Sequence, residues 1–163
     1  MATRKKKPTK RPAKRAAAPR PAQPAQQAQP ERQAPETTRF RSVAPSFTVS
    51  DLKRSIAFYG EVLAFYPGKL WEDGGRLVGM EFKAGAVTFY ISQDDFAKGR
   101  DRVKGVGHRL SCLTVQDVDA LAARIKASGG RLDSEPQDTA WGTRAFSIAD
   151  PDGFKFTIYN EKA

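Results

Sequence analysis

The chain carries the stretch Phe47-Thr48-Val49-Ser50-Asp51-Leu52, and the similar stretch Leu113-Thr114-Val115-Gln116-Asp117-Val118 follows at a shift of 117 − 51 = 66 residues. Each copy alternates like a strand and then reaches an aspartate, a residue type that caps helices. Each copy also ends in a matching strand, Val87-Thr88-Phe89-Tyr90 or Phe156-Thr157-Ile158-Tyr159. A period this long that occurs twice indicates a duplicated supersecondary unit.

The first unit reads as βαβββ. Residues 43–49 alternate as a strand, and Ser50 or Asp51 begins a helix whose apolar residues recur at helical spacing (Leu52, Ile56, Tyr59 and Leu63). The pattern predicts further strands at 68–72, 76–83 and 86–92, with glycine-containing turns between them.

The second unit has the same order. It predicts a strand at 108–115, a helix at about 117–128 that ends at Gly129-Gly130, and strands at 131–134, 143–149 and 154–160. The sequence therefore predicts an α+β fold of two βαβββ repeats, at about 42–93 and 108–161, joined by a polar linker over 93–107.

Residues 1–40 differ from the rest in composition. They hold 11 Lys or Arg and two acidic residues, which gives +9 of the formal charge of +10, and 7 of the 11 prolines. Such a segment buries too little apolar surface to offset its chain entropy, so we predict a disordered tail before one domain at 41–163. The domain itself is near neutral.

The basic cluster near the N-terminus resembles a histone-like arm or a nuclear-localisation segment. It comprises Lys5, Lys6, Lys7, Lys10, Arg11, Lys14 and Arg15. We predict that residues 1–20 bind nucleic acid or another polyanion without sequence preference, by counterion release. A purely solubilising tail is the alternative that the composition leaves open.

Three features bear on the compartment. The N-terminus lacks the apolar run of a secretory signal, and no apolar stretch approaches membrane-spanning length, so we expect no membrane partner. Cys112 is the single cysteine, which excludes an intramolecular disulfide and fits a reducing compartment. The prediction is a cytoplasmic protein, with the nucleoid or the nucleus as alternatives because of the basic tail.

The segment Trp141-Gly142-Thr143-Arg144-Ala145-Phe146-Ser147-Ile148-Ala149-Asp150-Pro151-Asp152-Gly153 resembles the final hairpin of the vicinal oxygen chelate superfamily, which holds glyoxalases, extradiol dioxygenases and bleomycin-resistance proteins. The helix signature from Val49 to Phe65 is similar to that superfamily, and Val87–Ser92 looks most like the bleomycin-resistance branch. The resemblance implies a cup-shaped mixed sheet with helices on the outer face, and a homodimer.

Metal-using members place His or Gln on the first strand of each repeat and Glu on the last. The matching positions here are Ala44 and Leu110 on the first strands, and Thr88 and Thr157 on the last. None of these is an imidazole or a carboxylate, the ligands that such metals prefer. We therefore predict no metal and no other cofactor, and we expect no catalytic residue set.

Strand alternation sorts the side chains between two faces. One set is predicted to pack beneath the helices: Phe47, Val49, Val87, Phe89, Ile91, Leu113, Val115, Phe156 and Ile158. The opposite set is predicted to line the cup: Ala44, Ser46, Thr48, Thr88, Tyr90, Leu110, Cys112, Thr114, Thr157 and Tyr159. Cys112 is expected to be a small buried hydrophobic residue.

The predicted ligand-binding residues combine hydroxyl and aromatic side chains, which suit a small organic ligand. They are Ser46, Thr48, Trp71, Thr88, Tyr90, His108, Thr114, Trp141, Thr157 and Tyr159. Structural packing is the open alternative for Trp71 and Trp141, and a solvated strand end is the favoured alternative for His108. Glu72, Asp73 and Glu81 are expected to be solvated turn and edge residues.

These observations favour a metal-free small-molecule binding protein of the bleomycin-resistance type, which would sequester an aromatic or amphipathic compound and thereby confer antibiotic resistance. The near-neutral domain lacks the acidic charge common in that branch, which leaves the ligand open. The alternative is a lyase or oxygenase of the glyoxalase or dioxygenase type that acts on a small metabolite. Metal content distinguishes the two.

Overall fold

The first repeat begins with strand β1 (Ser46–Val49) and helix α1 (Leu52–Ala57), which continues as a π-helical turn over Phe58–Val62. Asp51 caps the helix, because its carboxylate accepts the backbone N–H of Arg54 at 3.0 Å. Strands β2 (Tyr66–Asp73), β3 (Arg76–Ala84) and β4 (Val87–Gln93) follow. They form a four-stranded sheet in the order β1-β4-β3-β2, in which β1 and β4 are parallel.

The second repeat has the same order of elements. It contains β5 (Arg109–Leu113), α2 (Val118–Ala127), β6 (Leu132–Asp138), β7 (Thr143–Ala149) and β8 (Lys155–Glu161). Asp117 caps α2 by accepting the backbone N–H of Ala120 at 2.7 Å. The sheet order is β5-β8-β7-β6, again with the first and last strands parallel.

The computed structural model describes Thr38 and Phe40–Glu161. Within this range the predicted α+β class and the two βαβββ repeats are confirmed, with one four-stranded sheet to each repeat. Nearly all of the predicted tail, residues 1–40, lies outside the described residues, so its disorder stays a prediction. No helix in the described part of the chain is long and apolar enough to cross a membrane.

One hydrophobic core lies between the two repeats. Aromatic rings from both repeats meet in it, with the ring centroid of Phe156 on β8 about 6 Å from those of Phe47, Tyr59 and Phe89. The helices contribute Leu52 and Ile125, which are 5% and 1% exposed. Burial of these side chains is the main favourable term in folding, and it turns the opposite face of each sheet away from the core.

Six of the nine residues predicted to lie beneath the helices are buried in this core: Phe47, Val49, Phe89, Ile91, Phe156 and Ile158. The prediction was wrong for Val87, Leu113 and Val115, which are 46%, 59% and 102% exposed. The error on β5 is one of register. Leu110 and Cys112, which were predicted to line the cup, pack against the core instead.

The inverted register has a clear physical origin. Ser46 pairs with Tyr90 and lies five residues before the cap Asp51, whereas Leu113 pairs with the matching Tyr159 and lies four residues before the cap Asp117. A shift of 66 residues, Asp51 to Asp117, therefore superposes the helix caps but reverses the faces of the first strands, because side chains alternate with a period of two.

Hydrogen bonds across the repeats add to the shared core. The backbone N–H of Ser50 donates to Oδ2 of Asp152 at 3.0 Å. The guanidinium of Arg124 on α2 donates to the carbonyls of Val62 and Leu63, which end the π-helical turn of the first repeat. The two Arg124 bonds satisfy carbonyl groups that a helix terminus leaves without partners.

Candidate functional site

The first outer face is the side of the first sheet that points away from the core. The strand register places two rows of side chains across it. Ser46 lies beside Tyr90, and Tyr90 in turn lies beside Glu81. In the next row Thr48 lies beside Ser92, and Ser92 lies beside Gly79. Their neighbours along each strand are buried, as alternation requires. The first outer face therefore combines hydroxyl groups with one aromatic ring and one carboxylate.

Trp71 adds a second ring to this face. It pairs with Gly79, and the indole forms an edge-to-face contact with Tyr90 at a centroid distance of 5.6 Å. A Cβ atom on Gly79 would lie 3.4 Å from Cε3 of Trp71 and 3.0 Å from the carbonyl oxygen of Ile91. The absence of a side chain at Gly79 thus lets the indole lie close against the sheet beside Tyr90.

Glu81 was expected to be an edge residue, and it lies instead in the middle of this face. Its side chain is 19% exposed, and Lys83 is 3.7 Å away. Gly68 on the neighbouring strand leaves room for it, since a Cβ there would contact the Glu81 carboxylate. Glu72 and Asp73 are exposed at the end of β2, as expected. The face therefore presents one half-buried carboxylate beside two aromatic rings.

The second outer face belongs to the second sheet. Four hydroxyl side chains form a row across its four strands, because Ser111 pairs with Thr157, Thr157 with Ser147 and Ser147 with Ser134. The hydroxyls of Ser134 and Ser147 are 2.7 Å apart. Tyr159 lies beside Leu113 one row further on. Thr157 and Tyr159 thus share a face, as predicted.

Seven of the predicted ligand-binding residues lie on the two outer faces: Ser46, Thr48, Trp71, Thr88, Tyr90, Thr157 and Tyr159. The other three lie elsewhere. Thr114 follows β5 and its hydroxyl accepts the backbone N–H of Gln116, Trp141 is 81% exposed in a turn, and His108 is exposed in the linker. The His108 ring contacts Phe47 edge to face at 5.7 Å.

The residues of β5 that face away from the core differ from those predicted, so the candidate metal-ligand positions on this strand have to be reassigned. Its outward-facing residues are Arg109, Ser111 and Leu113, and none of these is an imidazole or a carboxylate. Thr88 and Thr157 do face outward on the closing strands. Among the residues that the structure describes, no group of three or more His, Cys, Asp or Glu side chains is arranged to hold a metal ion. The residues present do not fit the site of the metal-using members.

Two adjoining grooves lie at the linker between the repeats. The larger has a volume of about 700 Å³ and the smaller about 380 Å³. The smaller groove reaches Ser46 and Thr48 of the first outer face, and both grooves contact Lys104 and His108. The polar linker thus borders the outward-facing end of β1.

The sequence of residues 40–158 matches the family model of the glyoxalase/bleomycin resistance protein/dioxygenase superfamily. The chain belongs to this superfamily. The vicinal oxygen chelate resemblance that the final hairpin predicted is confirmed. No curated protein sequence matches the chain.

Several solved structures share the superfamily fold. TioX from Micromonospora sp. ML1 is 18% identical, with a TM-score of 0.60, and the match covers 73% of this chain and 97% of TioX. Virulence protein STM3117 from Salmonella typhimurium is 23% identical over 77% of this chain and 100% of its own, with a TM-score of 0.57. Lactoylglutathione lyase from Agrobacterium tumefaciens is 18% identical over 75% and 95%, with a TM-score of 0.55.

At these identities the likeness concerns the fold alone. The superfamily includes both binding proteins and enzymes, so function has to be argued from this chain's own side chains. The side chains on which the argument rests are the Trp71–Tyr90 pair, the half-buried Glu81 and the hydroxyl row on the second sheet. The sequence analysis missed the position of Glu81, and the signal that could have found it is its pairing with Tyr90 across the β3–β4 hairpin.

Proposed function

We propose that this protein binds a small aromatic or amphipathic compound, in the manner of the bleomycin-resistance branch, without a metal. The observation that carries the proposal is the edge-to-face pair of Trp71 and Tyr90 on an outer face. Tryptophan and tyrosine offer large apolar surfaces with a polar tip, which suits a flat ligand that is partly exposed to water.

The surroundings of this pair support the same reading. Ser46, Thr48 and Ser92 supply hydroxyl donors and acceptors beside the rings, and Glu81 supplies a negative charge. A carboxylate that is only 19% exposed interacts more strongly with a cation than a fully solvated one does. The proposed ligand is therefore an aromatic compound that carries a hydrogen-bonding or cationic group near its ring.

A thermal-shift and intrinsic-fluorescence screen of aromatic drugs and metabolites tests this proposal. We expect hits that raise the melting temperature, shift tryptophan emission in the full-length protein and no longer bind after Trp71→Ala. Elemental analysis of the same preparation should find no stoichiometric zinc, nickel, iron or manganese. Stoichiometric metal together with metal-dependent turnover of a hit would favour the lyase or oxygenase reading instead.

We also propose that a second copy of the chain packs on the first, as the family resemblance implies. Strand β2 is an edge strand that carries Tyr66 and Leu70, which are 72% and 52% exposed. An exposed apolar edge strand is a common pairing surface. Sedimentation equilibrium should give a dimer, and Leu70→Glu should shift the mass toward the monomer. A monomer for both proteins would exclude this arrangement.

A separate proposal concerns the basic cluster of the tail, which lies outside the described residues. Seven Lys or Arg fall between Lys5 and Arg15, so residues 1–20 would bind nucleic acid or another polyanion by charge, with strong salt dependence. The domain that follows is near neutral, so it would bind its small ligand while the tail binds the polyanion. Such a tail would localise the binding domain near a polyanion, in the nucleoid or the nucleus.

A further inference from the structure

The larger linker groove is lined by basic side chains and glycines. Its lining residues are Lys104, Gly105, Val106, Gly107, His108, Arg109, Gly153 and Lys155. No carboxylate is among them. A concave surface that carries several cations and no anion has a positive potential, which low-dielectric walls strengthen.

Two of these cations are neighbours across parallel strands. Arg109 on β5 pairs in register with Lys155 on β8, and both side chains are exposed. Neither forms an ion pair or a side-chain hydrogen bond with any residue that the structure describes. Like charges on adjacent strands repel, so this pair costs stability unless an anion lies between them.

Lys104 and Arg102, two other cations of the linker, already share one carboxylate partner, Asp94. Lys104 lies 2.6 Å from the Asp94 carboxylate and donates to the Ser50 hydroxyl at 2.8 Å, and Arg102 lies 3.2 Å from Asp94. Arg109 and Lys155 have no such partner among the described residues and therefore remain available to a ligand.

The floor of the groove is fixed in place. Gly105 has φ +70, and a Cβ atom there would lie 2.1 Å from the carbonyl oxygen of Gly153. The linker backbone therefore lies directly against the β7–β8 turn, which only glycine permits. Lys104, the residue before Gly105, is held by its ion pair with Asp94. A rigid floor lowers the entropy cost of binding a small ion.

We propose that this groove is an oxyanion site, in which Arg109 and Lys155 bind the phosphate or carboxylate group of a small molecule. The guanidinium offers two parallel N–H donors to such a group, and the ammonium adds a second charge. The site goes beyond the proposed aromatic ligand and does not depend on it, because it lies at the linker and at the second sheet.

NMR titration of the full-length, ¹⁵N-labelled protein with inorganic phosphate tests the site, at constant ionic strength kept with sodium chloride. A parallel titration with acetate separates a phosphate from a carboxylate source. Four variants are compared with the parent: Arg109→Gln, Lys155→Gln, the double variant and Arg109→Lys. The matched control is Lys53→Gln, which removes the same charge from an exposed position on α1.

We expect saturable shifts at the amides of Gly105, Gly107 and Lys155. The double variant should bind about tenfold more weakly, and Lys53→Gln should bind as the parent does. Arg109→Lys should fall between them, because an ammonium keeps the charge but loses the two parallel donors. Phosphate should also raise the melting temperature of the parent but not of the double variant. Saturation by acetate alone would support the site and assign it to carboxylates.

Three results would overturn the proposal: equal binding by the double variant, an equal loss in Lys53→Gln, or shifts confined to the basic tail. If the double variant did not fold, the single variants would decide. In that case Arg109→Gln that binds phosphate as tightly as the parent would reject the site. Loss of this site with retained binding of neutral aromatic compounds would leave the proposed function intact.

Discussion

The Tyr59 hydroxyl donates a 2.7 Å hydrogen bond to Oδ2 of Asp150, and this bond joins the helix of the first repeat to the last hairpin of the second. Both residues are buried. Oδ1 of the same carboxylate accepts the backbone N–H groups of Asp152 and Phe154, which fixes the Asp-Pro-Asp-Gly turn. One carboxylate thus serves both the turn and the contact between repeats.

Tyr59→Phe should lower the free energy of unfolding by about 1–3 kcal/mol at neutral pH, since a buried acceptor loses its donor. Burial raises the pKa of Asp150, and the Tyr59 hydrogen bond partly counteracts that rise. Without the bond the pKa rises further, so the folded state holds its proton more tightly and the cost of ionising Asp150 grows with pH.

Urea unfolding of Tyr59→Phe at pH 7 and pH 4 measures this difference, and the loss should be larger at pH 7. Tyr159→Phe is the matched control, because its hydroxyl forms no hydrogen bond with any residue that the structure describes, and it should change little. An equal loss at both pH values would contradict the role assigned to the hydrogen bond with the carboxylate.

Asp94 should govern part of the stability in acid. The hydrogen bond from Lys104, together with the backbone N–H of Phe96, lowers the pKa of Asp94 to about 2. A lowered carboxyl pKa stabilises the folded state above the unfolded value, which is roughly 3.9, and that contribution is lost as pH falls toward 2.

Asp94→Asn should therefore destabilise the protein at pH 7 and have little effect near pH 2. Denaturant unfolding at pH 7, 4 and 2 gives the comparison. Asp101→Asn serves as the control because Asp101 is an exposed acid of the same linker. If Asp94→Asn behaved like this control at pH 7, the ion pair with Lys104 would have no energetic role.

Trp71 and Tyr90 should dominate the affinity for any aromatic ligand found in the screen. Replacing either ring by Ala removes stacking worth on the order of 1 kcal/mol or more, about a fivefold loss of affinity. His108→Ala should weaken binding less, because its ring lies in the linker, against Phe47 and Phe154. Calorimetric titration of the three variants decides. If His108→Ala abolished a turnover that Tyr90→Ala leaves intact, the protein would be an enzyme rather than a binding protein.

Deletion of residues 1–40 should remove polyanion binding and leave the stability of the domain unchanged. We expect the melting temperature of the domain to stay nearly unchanged, because the composition of residues 1–40 predicts a disordered segment, and such a segment makes few native contacts. The same deletion should remove most binding to DNA or heparin at low salt, since +9 of the net charge of +10 is lost. Comparable heparin retention by the truncated protein would place the polyanion site in the domain instead.

The elements were predictable from the sequence because each has a strong local signal. Predicted strands and helices overlap the observed ones throughout both repeats, and Asp51 and Asp117 cap the helices as expected. Alternation within β4 and β8 correctly predicted that Phe89 and Ile158 are buried in the core and that Thr88 and Tyr159 lie on the opposite face.

The face of β5 was not predictable from the repeat, because β5 lies one residue closer to its helix cap than β1 does. Leu110 and Cys112 packed inward as a result. The central position of Glu81 depends on the pairing of three strands, and the neutralisation of Lys104 depends on a buried Asp94 ten residues earlier. Both depend on the register of the chain after it has folded, which the alternation of a single strand does not determine.

The Arg124 guanidinium that binds the carbonyls of Val62 and Leu63 has a consequence for unfolding. The helix end lies in the first repeat and the guanidinium that binds its carbonyls lies in the second, so neither half of the chain contains both groups. A chain divided within the linker should therefore yield two fragments that stay unstructured apart and regain structure when mixed. Unfolding of the intact domain should be a single cooperative transition, so a partly opened molecule that keeps one repeat intact should not accumulate.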